Sequence, residues 1–262
     1  MDETKNQRRI GSTRSLVAPL ILGFSWFAAL LIAVPSDVAA ATVCPSKPYR
    51  QILSPSHPRN LGELKLQLLD YKCFGAYDRE IARILAGARV YVERRAARVK
   101  NPALVLDIDE TALTNWPQML ANDFGYIIEG PCDLRQNFPC GIQAWEKSTQ
   151  AEAIKPTLEL FNAAKTKGVA VFFITGRTED EQERSATETN LRRAGYDGWT
   201  KLVMKPRDSS AASTADYKAS ERAKIEKLGY RIIANVGDQE SDLRGGHAER
   251  IYRLPNPFYF IR

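Results

Sequence analysis

Histidine is nearly missing from this chain: His57 and His247 are its two copies, and neither lies near a cysteine. Among Cys44, Cys73, Cys132 and Cys140 there is no CxxC pair, so the ligand spacing of a Cys/His zinc site is absent. The formal net charge is +6, but no block of Lys and Arg and no basic stripe interleaved with aromatics occurs. That distribution argues against a nucleic-acid polymer as partner. Internal repeats and low-complexity tracts are also lacking.

What remains is a chain of 262 residues, 44% hydrophobic and 26% charged, enough for one sizeable core and a small accessory element. Its first forty residues stand apart. Lys5, Arg8, Arg9 and Arg14 precede an uncharged stretch from Ser15 to Ser36, and "VAAAT" follows at 38–42. That is the order of a signal peptide cut after Ala40 or Ala41, with an uncleaved membrane anchor as the alternative. Pro19, Gly23 and the small residues at the cut favour cleavage, which predicts a secreted or periplasmic protein with no membrane partner once mature. "ATVC" lacks the leucine expected three residues ahead of a lipidated cysteine, and "QRRIG" is too short a match for twin-arginine export. An even number of cysteines beyond the cut predicts two disulfides. Cys132 with Cys140 and Cys44 with Cys73 is the sequence-local pairing, one of three connectivities.

Residues 41–100 read as a proline-containing lead-in followed by helices, from about Leu61 to Lys100 with a break near Gly75, that pack on a core at 101–262. Ile81, Ile84, Leu85, Ala88 and Val92 recur at helical spacing, as a packing face does. From Leu104 the chain alternates short apolar runs with helical patterns. The runs are 104–109, 169–175, 201–205, 231–238 and 250–254; the helices fall near 156–167, 179–194 and 215–228, the last two closed by Gly195 and Gly229. This predicts an α/β fold, an open parallel sheet whose ligands sit at the carboxyl ends of the strands. Between the first strand and the helix near Pro156 lie about forty-five residues, far beyond an ordinary connection. They read as a small cap over the strand ends, inserted at about 112–155.

"LVLDID" delivers Asp107 and Asp109 two residues apart, on one side of a strand that is leaving the sheet. Alone, such a pair means little. The second strand ends in "FFITGR", bringing Thr175, Gly176 and Arg177 to the same edge, and the fourth ends in "VGDQESD", bringing Asp238 and, one turn on, Asp242. Converging carboxylates repel unless a hard divalent cation joins them, and oxygen ligands with phosphate suit Mg²⁺. Lys218, placed in the first turn of the helix that starts near 215, is able to neutralise a phosphate; Lys224 and Lys227 read as solvated.

These pieces, in this order, resemble the haloacid dehalogenase (HAD) superfamily: "DIDET", "ITGR", Lys218 and "GDQESD" stand for its four motifs. The stretch from Tyr217 to Gly246 and the terminal "LPNPFY" resemble the subfamily IIIB acid phosphatases, over roughly residues 60–262. Glu240 stands where the plant members tend to carry tryptophan. The resemblance implies a Rossmann-like core and hydrolysis of small phosphate monoesters with Mg²⁺. Asp107 is then the nucleophile and Asp109 the acid and base. Asp107, the Asp109 backbone carbonyl and Asp238 hold the metal, and Thr175 and Lys218 bind the other phosphate oxygens. Asp242 orients metal-bound water or Lys218. Phosphotransfer to an alcohol acceptor and a non-enzymatic storage role are the alternatives.

Other residues stay open. Arg177 reaches the substrate, pairs with a cap carboxylate or faces solvent. Trp116 and Trp145 stack on a leaving group or form the core of the cap. Glu110 points away from the aspartates or caps the turn, and is read as a bystander.

Overall fold

The computed structural model describes residues 59–136 and 139–261. The expected export segment and Cys44, the expected partner of Cys73, lie outside the described residues. Helix α1 (Leu61–Cys73) starts where the Asn60 side chain accepts from the Glu63 N–H at 3.3 Å, a side-chain cap on an otherwise unpaired donor. Gly75, at φ 73°, makes the left-handed turn into α2 (Ala76–Ala96). One face of α2 buries Tyr77, Ile81, Leu85, Ala88, Val92 and Ala96, the three-and-four spacing of a helix laid on a core.

The core follows in chain order: β1 (Pro102–Leu106), β2 (Leu113–Thr114), α3 (Trp116–Ala121), α4 (Ile142–Ser148), β3 (Glu152–Ala153), α5 (Lys155–Thr166), β4 (Ala170–Glu179), α6 (Glu181–Arg193), β5 (Lys201–Pro206), α7 (Thr214–Lys227), β6 (Arg231–Gly237), α8 (Glu240–Leu243) and β7 (Ile251–Arg253). The sheet is parallel in the order β5-β4-β1-β6-β7, with Val105 beside Phe172 on one side and Asn235 on the other. Strand alternation splits β1 between two apolar layers. Leu104 and Leu106 join the α2 and α5 side with Leu85 and Phe161, while Ala103 and Val105 join Tyr217 and Ile225 of α7. Both faces are covered, which is why these runs are apolar throughout instead of alternating.

Three details differ from expectation. Strand β1 stops at Leu106, so Asp107 and Asp109 sit in the turn beyond it; the Asp107 N–H still bonds the Val236 carbonyl at 3.0 Å, which carries the alternation onward. Strand β4 runs on past Thr175 to Glu179, with a register irregularity between Ile174 and Thr178. Helix α7 begins at Thr214, capped by Ser213, which places Lys218 past its first turn and not within it.

The insertion is stitched at its base, where β2 pairs antiparallel with β3, Leu113 opposite Ala153. Cys132 and Cys140 are disulfide-bonded just before α4. A side chain at Gly141 would place its Cβ 2.5 Å from the Gly130 carbonyl oxygen, so only glycine lets the chain pass there. Trp145 is fully buried, and Trp116 packs at 5.9 Å from Phe124 and 5.4 Å from Phe258, centroid to centroid. Both indoles therefore pack inside the fold. Among the described residues no helix is long and apolar enough to cross a membrane.

Candidate active site

At the carboxyl ends of β1, β4 and β6 a cavity of about 300 Å³ opens toward the insertion. Asp107, Asp109, Gly176, Arg177, Lys218, Asp238 and Asp242 all line it. Thr175 lies one residue deeper: its hydroxyl accepts from the Arg177 N–H at 3.2 Å, and Gly176, Arg177 and Thr178 form the wall at that strand end. The remaining wall mixes polar side chains such as Gln118, Gln143 and Glu146 with an apolar group that includes Met119, Phe124, Ile128 and Phe258.

Lys218 is buried and reaches across from α7. Its Nζ donates to Asp107 Oδ1 at 2.5 Å and to Asp242 Oδ1 at 2.6 Å. Asp242 also accepts from the Gln239 N–H through Oδ2 at 2.8 Å, closing the short α8. Gly237 makes room for it, since a Cβ there would fall 2.3 Å from that of Asp242. Asp238 accepts from Thr111 Oγ1 at 3.1 Å, Gln239 Nε2 at 2.8 Å and Asn256 Nδ2 at 2.7 Å. Asp109 is gripped elsewhere. Arg177 donates Nη2 to Oδ1 at 2.6 Å and Nε to Oδ2 at 3.1 Å, and Asn115 Nδ2 adds a bond to Oδ1 at 2.9 Å.

The electrostatics follow from burial. Burial pushes the Asp107 carboxyl well up; Lys218 opposes that, while Asp242 and Asp238 reinforce it. Burial, with Asp242 next, raises Asp238 to about 7. Burial acts upward on Asp109 too, but the Arg177 charge and the bonds from Arg177 and Asn115 outweigh it and hold this carboxyl below its usual range. Lys218 stays protonated well above an ordinary lysine, because Asp107 and Asp242 outweigh its burial. Asp107, Asp238 and Asp242 each bring an oxygen within 4.8 Å of the others. With Lys218 as the buried cation of Asp107 and Asp242, these three carboxylates form an all-oxygen, electron-rich set that fits a hard divalent cation.

Several residues do more than the sequence assigned to them. Glu110 is no bystander: it is fully buried at φ 53°, and accepts from the Asn115 N–H at 2.6 Å, Asn115 Nδ2 at 3.0 Å and Tyr259 Oη at 3.4 Å. It caps the turn after β1, one of the two roles open to it in the sequence, and ties that turn to the C-terminal segment; burial raises it to about 8. Arg222 donates Nη1 to the Asp242 carbonyl at 2.6 Å, and Asn235 Nδ2 bonds the same oxygen at 2.9 Å. Arg177 does meet a cap carboxylate, Glu146 of α4, at 3.6 Å. Asp238 and Asp109 draw partners both from close by, Gln239 and Asn115, and from distant segments, Thr111, Asn256 and Arg177. Thr111, Arg177, Gln239 and Asn256 stood in the stretches singled out in the sequence, "DIDET", "ITGR", "GDQESD" and "LPNPFY"; Asn115 did not.

A family model described as HAD superfamily, subfamily IIIB (Acid phosphatase) matches residues 60–262. The chain belongs to that subfamily. Two similar relatives are the Stem 28 kDa glycoprotein of Glycine max, 36% identical over 162 residues, and Acid phosphatase 1 of Solanum lycopersicum, 35% identical over 158 residues. Each alignment takes in 60% of this chain but only 59% and 58% of those relatives, so the chain spans about three fifths of their length. Vegetative storage protein 1 of Arabidopsis thaliana is 28% identical, over 65% of this chain and 61% of its own. The class C acid phosphatase from Bacillus anthracis shares the fold, with a TM-score of 0.60 at 21% identity over 75% of this chain and 85% of that one. The same enzyme with tungstate bound gives 0.59, also at 21% identity, over 76% and 86%. Subfamily IIIB thus accounts for the parallel sheet and for the order in which its strands deliver the aspartates.

Proposed function

We propose that this subfamily IIIB protein is a Mg²⁺-dependent acid phosphatase that hydrolyses small phosphate monoesters through a phosphorylated Asp107. The observation that carries the reading is the meeting of Asp107, Asp109, Lys218, Asp238 and Asp242 at one small cavity. Lys218 occupies Oδ1 of Asp107, which leaves Oδ2 for in-line attack on phosphorus. The new Oδ2–P bond forms as the ester P–O bond breaks, and the departing oxygen takes its proton from the protonated fraction of Asp109, which Arg177 keeps small and acid pH enlarges. A water then attacks phosphorus and gives a proton to Asp109, and the P–Oδ2 bond breaks to restore Asp107. Thr175 and Lys218 bind phosphoryl oxygens, while Asp242 holds Lys218 in place.

The carboxylates of Asp107 and Asp238 with the Asp109 backbone carbonyl would hold the cation, which supplies positive charge against the phosphoryl oxygens when bound. The cavity volume limits the leaving group to a small molecule. We place the protein in the periplasm or outside the cell, a reading supported by the Cys132–Cys140 disulfide and by the signal-peptide pattern read in the sequence at 1–40. Relatives named as storage proteins offer a non-enzymatic reading, which the intact Asp107 and Lys218 pair disfavours. Hydrolysis of an aryl phosphate from about pH 4 to 8, with and without chelator, tests the reading. Activity lost with chelator and restored by Mg²⁺ is expected; undiminished activity in chelator sinks the metal-dependent mechanism.

A further inference from the structure

The acid/base Asp109 is held from two sides, and both holds lead back to one short helix of the insertion. On one side Arg177 grips the carboxylate with two nitrogens, and Glu146 sits 3.6 Å from the same guanidinium. On the other side Asn115 donates to Asp109 Oδ1, while its own Oδ1 accepts from Trp145 Nε1 at 2.8 Å. Trp145 and Glu146 are neighbours on α4.

That helix is itself well fixed. The Ile142 N–H bonds the Ile127 carbonyl at 2.9 Å, Gln118 and Asn122 of the α3 region both donate to the Cys140 carbonyl, and Lys147 pairs with Glu183 of α6 at 3.0 Å. Within the grip, Asp109 Oδ1 receives two of the three bonds and Oδ2 a single longer one. Oδ2 therefore keeps a lone pair for a proton.

We propose that Arg177 and Asn115, positioned from α4 by Glu146 and Trp145, orient the Asp109 carboxyl so that Oδ2 faces the leaving group. They are positioning residues and touch no reacting atom. This inference rests on the proposed phosphatase mechanism and deepens it. It assigns to the insertion a part in the chemistry as well as in shaping the cavity.

The consequence is a selective defect. A poor leaving group such as an alkoxide needs the proton, whereas 4-nitrophenoxide departs without much help. A lysine at 177 keeps the charge but cannot form the planar two-nitrogen fork. Phenylalanine at 145 keeps most of the buried ring and loses the N–H to Asn115.

The experiment compares kcat/KM for a primary alkyl phosphate and for 4-nitrophenyl phosphate, in Mg²⁺, for the wild type, Arg177→Lys and Trp145→Phe. The expected result is a loss of about tenfold or more on the alkyl ester in Arg177→Lys, and a smaller loss in the same direction in Trp145→Phe. The aryl ester should stay within about twofold in both, since it draws little on the acid. A misfolded fraction lowers both esters by one factor, so the ratio between them reads positioning and not folding. Equal losses on the two esters overturn the inference while leaving the phosphatase reading standing. A selective loss in Arg177→Lys with no change in Trp145→Phe overturns the part given to α4. A wild type that hydrolyses neither ester overturns the phosphatase reading, and this inference with it.

Discussion

Replacing Lys218 by methionine removes one positive charge while keeping nearly the length of the side chain. Lys218 is buried and donates to Asp107 at 2.5 Å and to Asp242 at 2.6 Å, both buried as well. Without it, two carboxylates face each other with no cation among their bonded partners, and Asp238 lies close by. Removing one member of a buried ion pair costs about 3–5 kcal/mol, because the charge left behind is uncompensated. At about 2–4 °C per kcal/mol for a domain of this size, the melting temperature in chelator should fall by about 6–20 °C. Added Mg²⁺ should recover part of that fall, since a cation that binds only the folded state stabilises it in proportion to the logarithm of its concentration. The measurement is thermal unfolding of the wild type and of Lys218→Met, each in chelator and in a Mg²⁺ series. A variant that melts with the wild type in chelator refutes the claim that Lys218 compensates these carboxylates.

Asp109→Asn keeps the hydrogen bond from Asn115 and loses the proton carrier, so kcat/KM on alkyl phosphates should drop about 10²- to 10⁴-fold; a wild-type rate removes Asp109 from acid/base work. A third prediction concerns Glu249, which accepts from Arg95 of α2 at 2.7 and 2.8 Å, from Tyr91 at 2.9 Å and from Arg231 of β6 at 2.9 Å. Its bonds to Arg95, ahead of those from Arg231 and Tyr91, lower its carboxyl from 4.5 to about 2. The stability it contributes is thus complete above the unfolded value and is lost as the pH falls through about 2. Because the arginines are partly exposed, Glu249→Gln should cost only about 1–2 kcal/mol at pH 5 and a small fraction of that near pH 2. Denaturant unfolding at the two pH values checks this, and a difference that persists undiminished at the lower one contradicts it.

Where a signal was local, the sequence carried it. The apolar runs became the five strands of the sheet because strands covered on both faces must be apolar throughout, and Gly75 divided α1 from α2 because a left-handed turn suits glycine best. Asp107, Asp109 and Asp238 were legible because parallel strands carry their ends to one edge. What escaped detection was contact between segments distant in the chain. Asn115 sits 30 residues from the Trp145 it accepts from, and Glu110 is 149 residues from the Tyr259 that donates to it. No spacing rule reaches that far. For Glu110 the sequence left two roles open, pointing away or capping the turn, and its burial and bonds to Asn115, which no spacing reveals, decide for the cap and against a bystander.

The nucleophile is the point on which the mechanism turns. Rapid acid quenching of the protein with 4-nitrophenyl phosphate and Mg²⁺, followed by peptide mass spectrometry, should find a phosphoryl group on the peptide 103–115, at Asp107. Asp107→Asn should give no labelled peptide and no turnover. Label on any other residue, or turnover that persists in Asp107→Asn, would contradict attack by Asp107.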